Sequence, residues 1–142
     1  MNMLNDLALL IFRVTISAFM LFGHGLGKLN RLFSGDEIKF FDPFGLGSIA
    51  SLSFAVLAEF FAAALIILGL FTRLSSITLI ITMFVAGFIY HADDPFRTQE
   101  KALMYLVSYI LLFLTGPGKY SIHSLIENKF NNLSSKLKLI LS

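Results

Sequence analysis

The chain contains no cysteine. Disulfides, thiolate nucleophiles, iron–sulfur ligation and Cys-X-X-Cys exchange therefore lie outside the chemistry of its own side chains. It contains no tryptophan either, so anchoring at a membrane–water boundary falls to tyrosine, phenylalanine and lysine. Charge is scarce: Asp, Glu, Lys and Arg make up 14% of the residues, against about 25% in a soluble domain. A formal net charge of +2 is too small to form a nucleic-acid-binding face, and no DNA- or RNA-binding signature occurs. A Walker loop, a dinucleotide fingerprint, a Ser–His–Asp set and an HExxH helix are all missing.

What is plentiful is apolar sequence. Of 142 residues 56% are hydrophobic, and the mean hydropathy is +0.80. Four apolar runs cover residues 7–29, 49–71, 74–91 and 102–116. The first three reach the roughly 18–25 residues that span a bilayer, and the fourth is shorter. The pattern predicts an all-α membrane protein: a four-transmembrane-helix up-and-down bundle over residues 1–120, then an amphipathic interfacial helix in a cytoplasmic tail, residues 121–142. The tail's Ile122, Leu125, Ile126, Phe130, Leu133, Leu137 and Leu141 fall near helical spacing, with Lys129, Lys136 and Lys138 off that stripe. The first run lacks a basic flank before it and an A-x-A site after it, so it reads as a retained helix rather than a signal peptide. Lys and Arg are balanced between the two sides; the compact basic tail favours cytoplasmic termini.

The connections have distinct characters. Residues 30–47 mix Asp36, Glu37, Lys39 and Asp42 with Phe33, Phe40, Phe41 and Phe44. That composition suits a loop lying among lipid headgroups or a lid over a cavity between helices. The second and third runs are joined tightly through Thr72 and Arg73, which makes those helices antiparallel neighbours. Pro95 with Asp93 and Asp94 ends the third, and Gly116-Pro117-Gly118 ends the fourth.

A charge at bilayer depth costs at least about 2.5–3.5 kcal/mol and therefore pairs or lines a polar cavity. Arg13, Ser17, Met20, His24 and Lys28 share one helical stripe, which must face protein or water. Glu59 lies mid-run among Ala55, Ala62 and Ala63, small residues that let another helix approach. Arg13 is the simplest partner for Glu59. Two readings stay open for that pair: a structural ion pair, or a site for a polar head or a proton. At the other end, His24 and Lys28 meet His91, Asp93 and Asp94 from the third helix and Glu100 and Lys101 from the fourth if the helices run up and down. The candidate ligand-binding or proton-handling residues are therefore Arg13, His24, Lys28, Glu59, His91 and Glu100. The two histidines could hydrogen-bond a quinol, join a carboxylate on a metal, or ligate haem. Haem fits worst, because both lie at helix ends rather than facing across a bundle core. Ser75, Thr78, Thr82, Ser108 and Thr115 read as residues that bond backbone or a neighbouring helix, and His123 reads as tail.

These pieces in series resemble the DoxX family of small four-helix membrane proteins. The resemblance rests on Leu10-Ile11-Phe12-Arg13-Val14, His24-Gly25-Leu26-Gly27-Lys28-Leu29, Leu57-Ala58-Glu59-Phe60-Phe61 and Leu68-Gly69-Leu70-Phe71-Thr72-Arg73. Glu100-Lys101-Ala102-Leu103 and Gly116-Pro117-Gly118-Lys119-Tyr120-Ser121 complete it, over residues 7–124. His123 departs from it, standing where the family often has aspartate. The resemblance implies a place in the bacterial inner membrane and an accessory or quinone-handling subunit of a quinol oxidase-like redox system. The electron donor and acceptor would then come from partner subunits, with no tightly bound cofactor in this chain. The alternative is a non-enzymatic subunit, alone or as a homo-oligomer, that binds or transports a lipid or small solute, or scaffolds a complex.

Overall fold

The computed structural model describes residues 3–129. Its long helices are α1 (Met3–Leu32), α2 (Ser48–Leu68) and α3 (Thr72–Tyr90). They are followed by α4 (Phe96–Thr115) and the short α5 (Ile122–Lys129). No strand occurs among the described residues. α1, α2 and α3 are each long and apolar enough to cross a membrane. α4 has 20 residues but opens with Arg97, Glu100 and Lys101, which leaves a shorter apolar stretch. The expected stripe from Phe130 to Leu141 lies outside the described residues.

The helices run alternately up and down. One end gathers the C-terminus of α2, the N-terminus of α3 and the Gly-Pro-Gly turn after α4, all packed around Arg13 and Arg73. The other end gathers the C-termini of α1 and α3 and the N-termini of α2 and α4. α3 and α4 share the most extensive contact, and α1 lies along α2. The core is built from Met20, Ala58, Ala63, Ile66, Leu79, Tyr109 and Leu112. Large apolar side chains such as Phe19, Phe22, Phe61, Leu74 and Phe84 point outward, the reverse of a soluble bundle.

Two junctions fix the geometry. α2 ends in a Schellman motif, where Gly69 adopts φ 68°. Its N–H donates to the Ile66 carbonyl at 3.0 Å, and the Leu70 N–H donates to the Leu65 carbonyl at 2.9 Å. The chain then re-enters α3 without a spacer, which needs Phe71 at φ 48°. Each long helix also contains a widened π-helical turn, at Leu21–Gly25, Leu57–Ala62 and Ala86–Tyr90. Such turns rotate the residues beyond them and recur at functional sites.

Four of the five helix hydroxyls expected to bond backbone or a neighbouring helix bond their own backbone. Thr78, Thr82, Ser108 and Thr115 each donate to the carbonyl four residues back, at 2.7–3.1 Å.

Candidate functional site

Glu59 sits in the π-turn of α2 with a relative exposure of 3%. Its partner is Lys28, whose ammonium bonds Glu59 Oε2 directly. Arg13 is therefore not the partner of Glu59, contrary to the sequence expectation. The reason is depth. Gly25 packs against the Glu59 backbone, and Arg13 lies twelve residues earlier, about 18 Å down the helix at 1.5 Å per residue. Arg13 belongs to the far end of the bundle. There its Nη1 donates to the Pro117 carbonyl and its Nη2 to the Tyr120 carbonyl at 2.9 Å. It is 2% exposed and bridges the two sides of the turn that follows α4.

Around the Lys28–Glu59 pair the helix ends border a half-open cavity of ≈ 1010 Å³. α1 contributes Met20, His24 and Lys28, α3 contributes Met83, Tyr90 and His91, and α4 contributes Lys101, Ala102 and Tyr105. The wall on the α2 side holds Phe54, Leu57 and Glu59. The His24 ring meets Tyr105 edge-on, with centroids 5.7 Å apart, and Tyr105 stacks on Tyr109 at 6.3 Å. Tyr109 is fully buried beside Ser17.

The segment between α1 and α2 forms the remaining wall. Phe40, Phe41, Pro43 and Phe44 line the cavity, and Phe41 packs on Tyr90 with centroids 4.9 Å apart. The segment's place along the cavity is the one a lid would take. Asp42 gives it shape. Its Oδ1 accepts from the Leu46 N–H at 3.0 Å and the Ser51 hydroxyl at 2.8 Å, and its Oδ2 accepts from the Gly47 N–H at 2.6 Å. These bonds, led by the one from Gly47, hold the Asp42 carboxyl below the usual carboxylate value. Arg31 Nη2 adds a bond to the Lys39 carbonyl at 2.5 Å. Across the cavity, His91 Nδ1 lies 2.5 Å from Asp94 Oδ2. Gln99 Nε2 donates to the His91 carbonyl at 2.8 Å and pins the turn between α3 and α4.

Four of the six expected residues therefore come together here: His24, Lys28, Glu59 and His91. Arg13 is elsewhere, and Glu100 is not part of the lining, whereas its neighbour Lys101 is. Tyr105 and Lys101 share a helix face at i, i+4 and are both polar residues of the α4 wall. His123 is more than tail. It is 8% exposed, and its N–H donates to the Gly69 carbonyl at 3.1 Å, docking α5 beside the Arg13 clamp. No group of three His, Asp or Glu side chains spaced to hold a metal ion occurs among the described residues.

The DoxX family model matches residues 8–92, more than half of the chain, from the Arg13 helix through the end of α3. The chain belongs to the DoxX family. An uncharacterised protein of Haemophilus influenzae is 30% identical to it over 133 residues, covering 89% of this chain and 87% of the relative. The inner membrane protein YqjF of Escherichia coli K12 is 25% identical over 136 residues, covering 92% of this chain and all of the relative. No solved structure matches. The family and the three long apolar helices make this DoxX protein an integral membrane protein.

Proposed function

We propose that this DoxX protein is a binding subunit of the inner membrane whose chamber holds an amphiphilic small molecule. The observation that carries the reading is the chamber: phenylalanine and tyrosine walls, with Lys28, Glu59 and His24 converging at its inner end. A large, mostly apolar cavity with a few polar groups is the usual form of a small-molecule site. The apolar body would lie against Phe54 and Met83, and the head would meet the charged groups. Quinone handling for a redox partner, which the resemblance implies, is one form of this reading. A ring oxygen would accept a proton or hydrogen bond from Lys28 or His24, and electrons would come from and go to other subunits.

In this reading α4 is the fourth crossing. Its outward Met104, Val107, Leu111 and Leu114 form an apolar face, and its other side packs on α3. Both termini then share one side, taken as cytoplasmic from the basic tail. α5 carries exposed Leu125 and Ile126 and would lie in that interface. The inner-membrane placement follows the YqjF relative.

Native mass spectrometry of the protein, gently released from its own membranes, tests the reading. The expected result is a co-purifying amphiphile that is absent from Lys28→Gln protein. A quinone together with an oxidoreductase subunit would support the redox form. Protein that carries no small molecule, under conditions that keep known ligands bound to other membrane proteins, would exclude the chamber as a binding site.

A further inference from the structure

We propose that the occupant of the chamber carries an anionic head, a carboxylate or phosphate on a single apolar tail. This rests on the chamber being a binding site and narrows its ligand to one class. The lining holds four permanent cations, Lys28, Arg31, Lys39 and Lys101, and one carboxylate, Glu59. Lys28 and Glu59 neutralise each other. Arg31, Lys39 and Lys101 remain, brought from the end of α1, the lid segment and the second turn of α4, with no further acid among the described lining residues to oppose them.

None of the three is committed elsewhere. Lys39 Nζ stands 3.4 Å from Glu37 Oε2, but these side chains are 79% and 81% exposed, so water screens the pair and leaves the lysine free to turn inward. Arg31 spends Nη2 on a carbonyl, which takes a proton donor but no charge. Lys101 forms no ion pair among the described residues. It lies within electrostatic range of His24, at the inner end of the site.

A neutral carbonyl head needs one donor, and three cations around the same cavity exceed that need. An oxyanion uses all of them, because charge-assisted bonds to carboxylate or phosphate are roughly twice as strong as neutral ones. The volume, at the upper end for small-molecule sites, leaves room for a tail along Phe54, Leu57 and Met83.

The test uses purified protein in nanodiscs of zwitterionic phosphatidylcholine, with empty nanodiscs as background. Equilibrium binding is measured for oleate, dodecyl phosphate, oleyl alcohol and decylubiquinone. The expected result is that oleate or dodecyl phosphate binds at least about tenfold more tightly than oleyl alcohol and decylubiquinone. Lys101→Gln then weakens the anion about tenfold, leaves oleyl alcohol unchanged, and is rescued by Lys101→Arg. Lys101 is exposed at a helix start, so this substitution leaves the fold intact. The ratio of oleate to dodecyl phosphate identifies the head as carboxylate or phosphate. Neutral probes binding as tightly as the anions would overturn the anionic head while leaving the chamber reading in place. Anion binding untouched by Lys101→Gln would also overturn it, since the cations would then meet only bilayer headgroups. No probe bound above the empty-nanodisc background would overturn both.

Discussion

Gly25 and Glu59 touch backbone to backbone. A Cβ built on Gly25 would collide with the Glu59 carbonyl oxygen, and would stand 2.6 Å from its carbonyl carbon and 2.8 Å from the Phe60 nitrogen. Both residues lie in π-turns, so the two widened turns of α1 and α2 face each other in close contact. This contact sets Lys28, one turn beyond Gly25, at the height of the Glu59 carboxylate. Gly25→Ala is expected to push the helices apart and cost about 1–3 kcal/mol, the usual range for overpacking. Gly23→Ala, which meets nothing within 4 Å, serves as the control. Denaturant titration of both variants in detergent checks the difference.

Lys28 and Glu59 are coupled through burial. The Glu59 side chain is 4% exposed and that of Lys28 26%, so removing one partner strands the other in a place with little water. Lys28→Met is expected to destabilise by about 3 kcal/mol, the lower end for breaking a buried pair. Adding Glu59→Leu is expected to recover most of that loss, because the stranded carboxylate is gone. A double-mutant cycle on unfolding free energies measures the coupling; strictly additive effects would remove the pair from the account.

Arg13 holds two carbonyls, those of Pro117 and Tyr120, that only a forked donor reaches together. Arg13→Lys keeps the charge and loses the fork, at a cost of about 1.5–3 kcal/mol. Limited proteolysis after Lys119 is the readout. The variant is expected to be cut faster at that turn while the chamber keeps its ligand affinity.

Asp42 gives the lid a pH dependence. Its folded-state carboxyl is held below the usual value of 3.8, so its contribution to lid structure is complete above that value and is lost as pH falls through the lower, folded-state one. With no native cysteine in the chain, a spin label at Phe44→Cys reports the lid alone. Its mobility is expected to stay low at neutral pH and to rise only below about pH 4. With Asp42→Ala added, it is expected to be high throughout. A label equally mobile in both proteins at pH 7 would mean that Asp42 does not organise the segment.

The sequence is legible where a physical cost leaves few solutions. Arg13 and Glu59 inside apolar runs cannot face lipid, and that alone located a polar interior. The alternation of apolar runs with polar turns likewise gave the antiparallel order of α1 to α3. Pairing was not legible, because helical periodicity fixes which residues share a face and leaves open how far one helix slides along another. Glu59 therefore went to Lys28 rather than Arg13, through a sliding set by Gly25. The π-turns carry no sequence signature and shift the face beyond them. Asp42 escaped notice because it reads as one of several loop charges; its role appears only when Leu46, Gly47 and Ser51 fold around it.

The central claim is that the space beside Lys28 and Glu59 holds an amphiphile under the lid. Photo-crosslinking with a diazirine-bearing fatty acid in native-like membranes, followed by peptide mapping, tests it most directly. The account predicts adducts on chamber residues, led by Phe54, Met83 and Tyr105, competed away by excess oleate and reduced in Lys101→Gln protein. Adducts confined to the outer belt, at residues such as Phe19, Phe61 and Met104, with no competition by oleate, would contradict it.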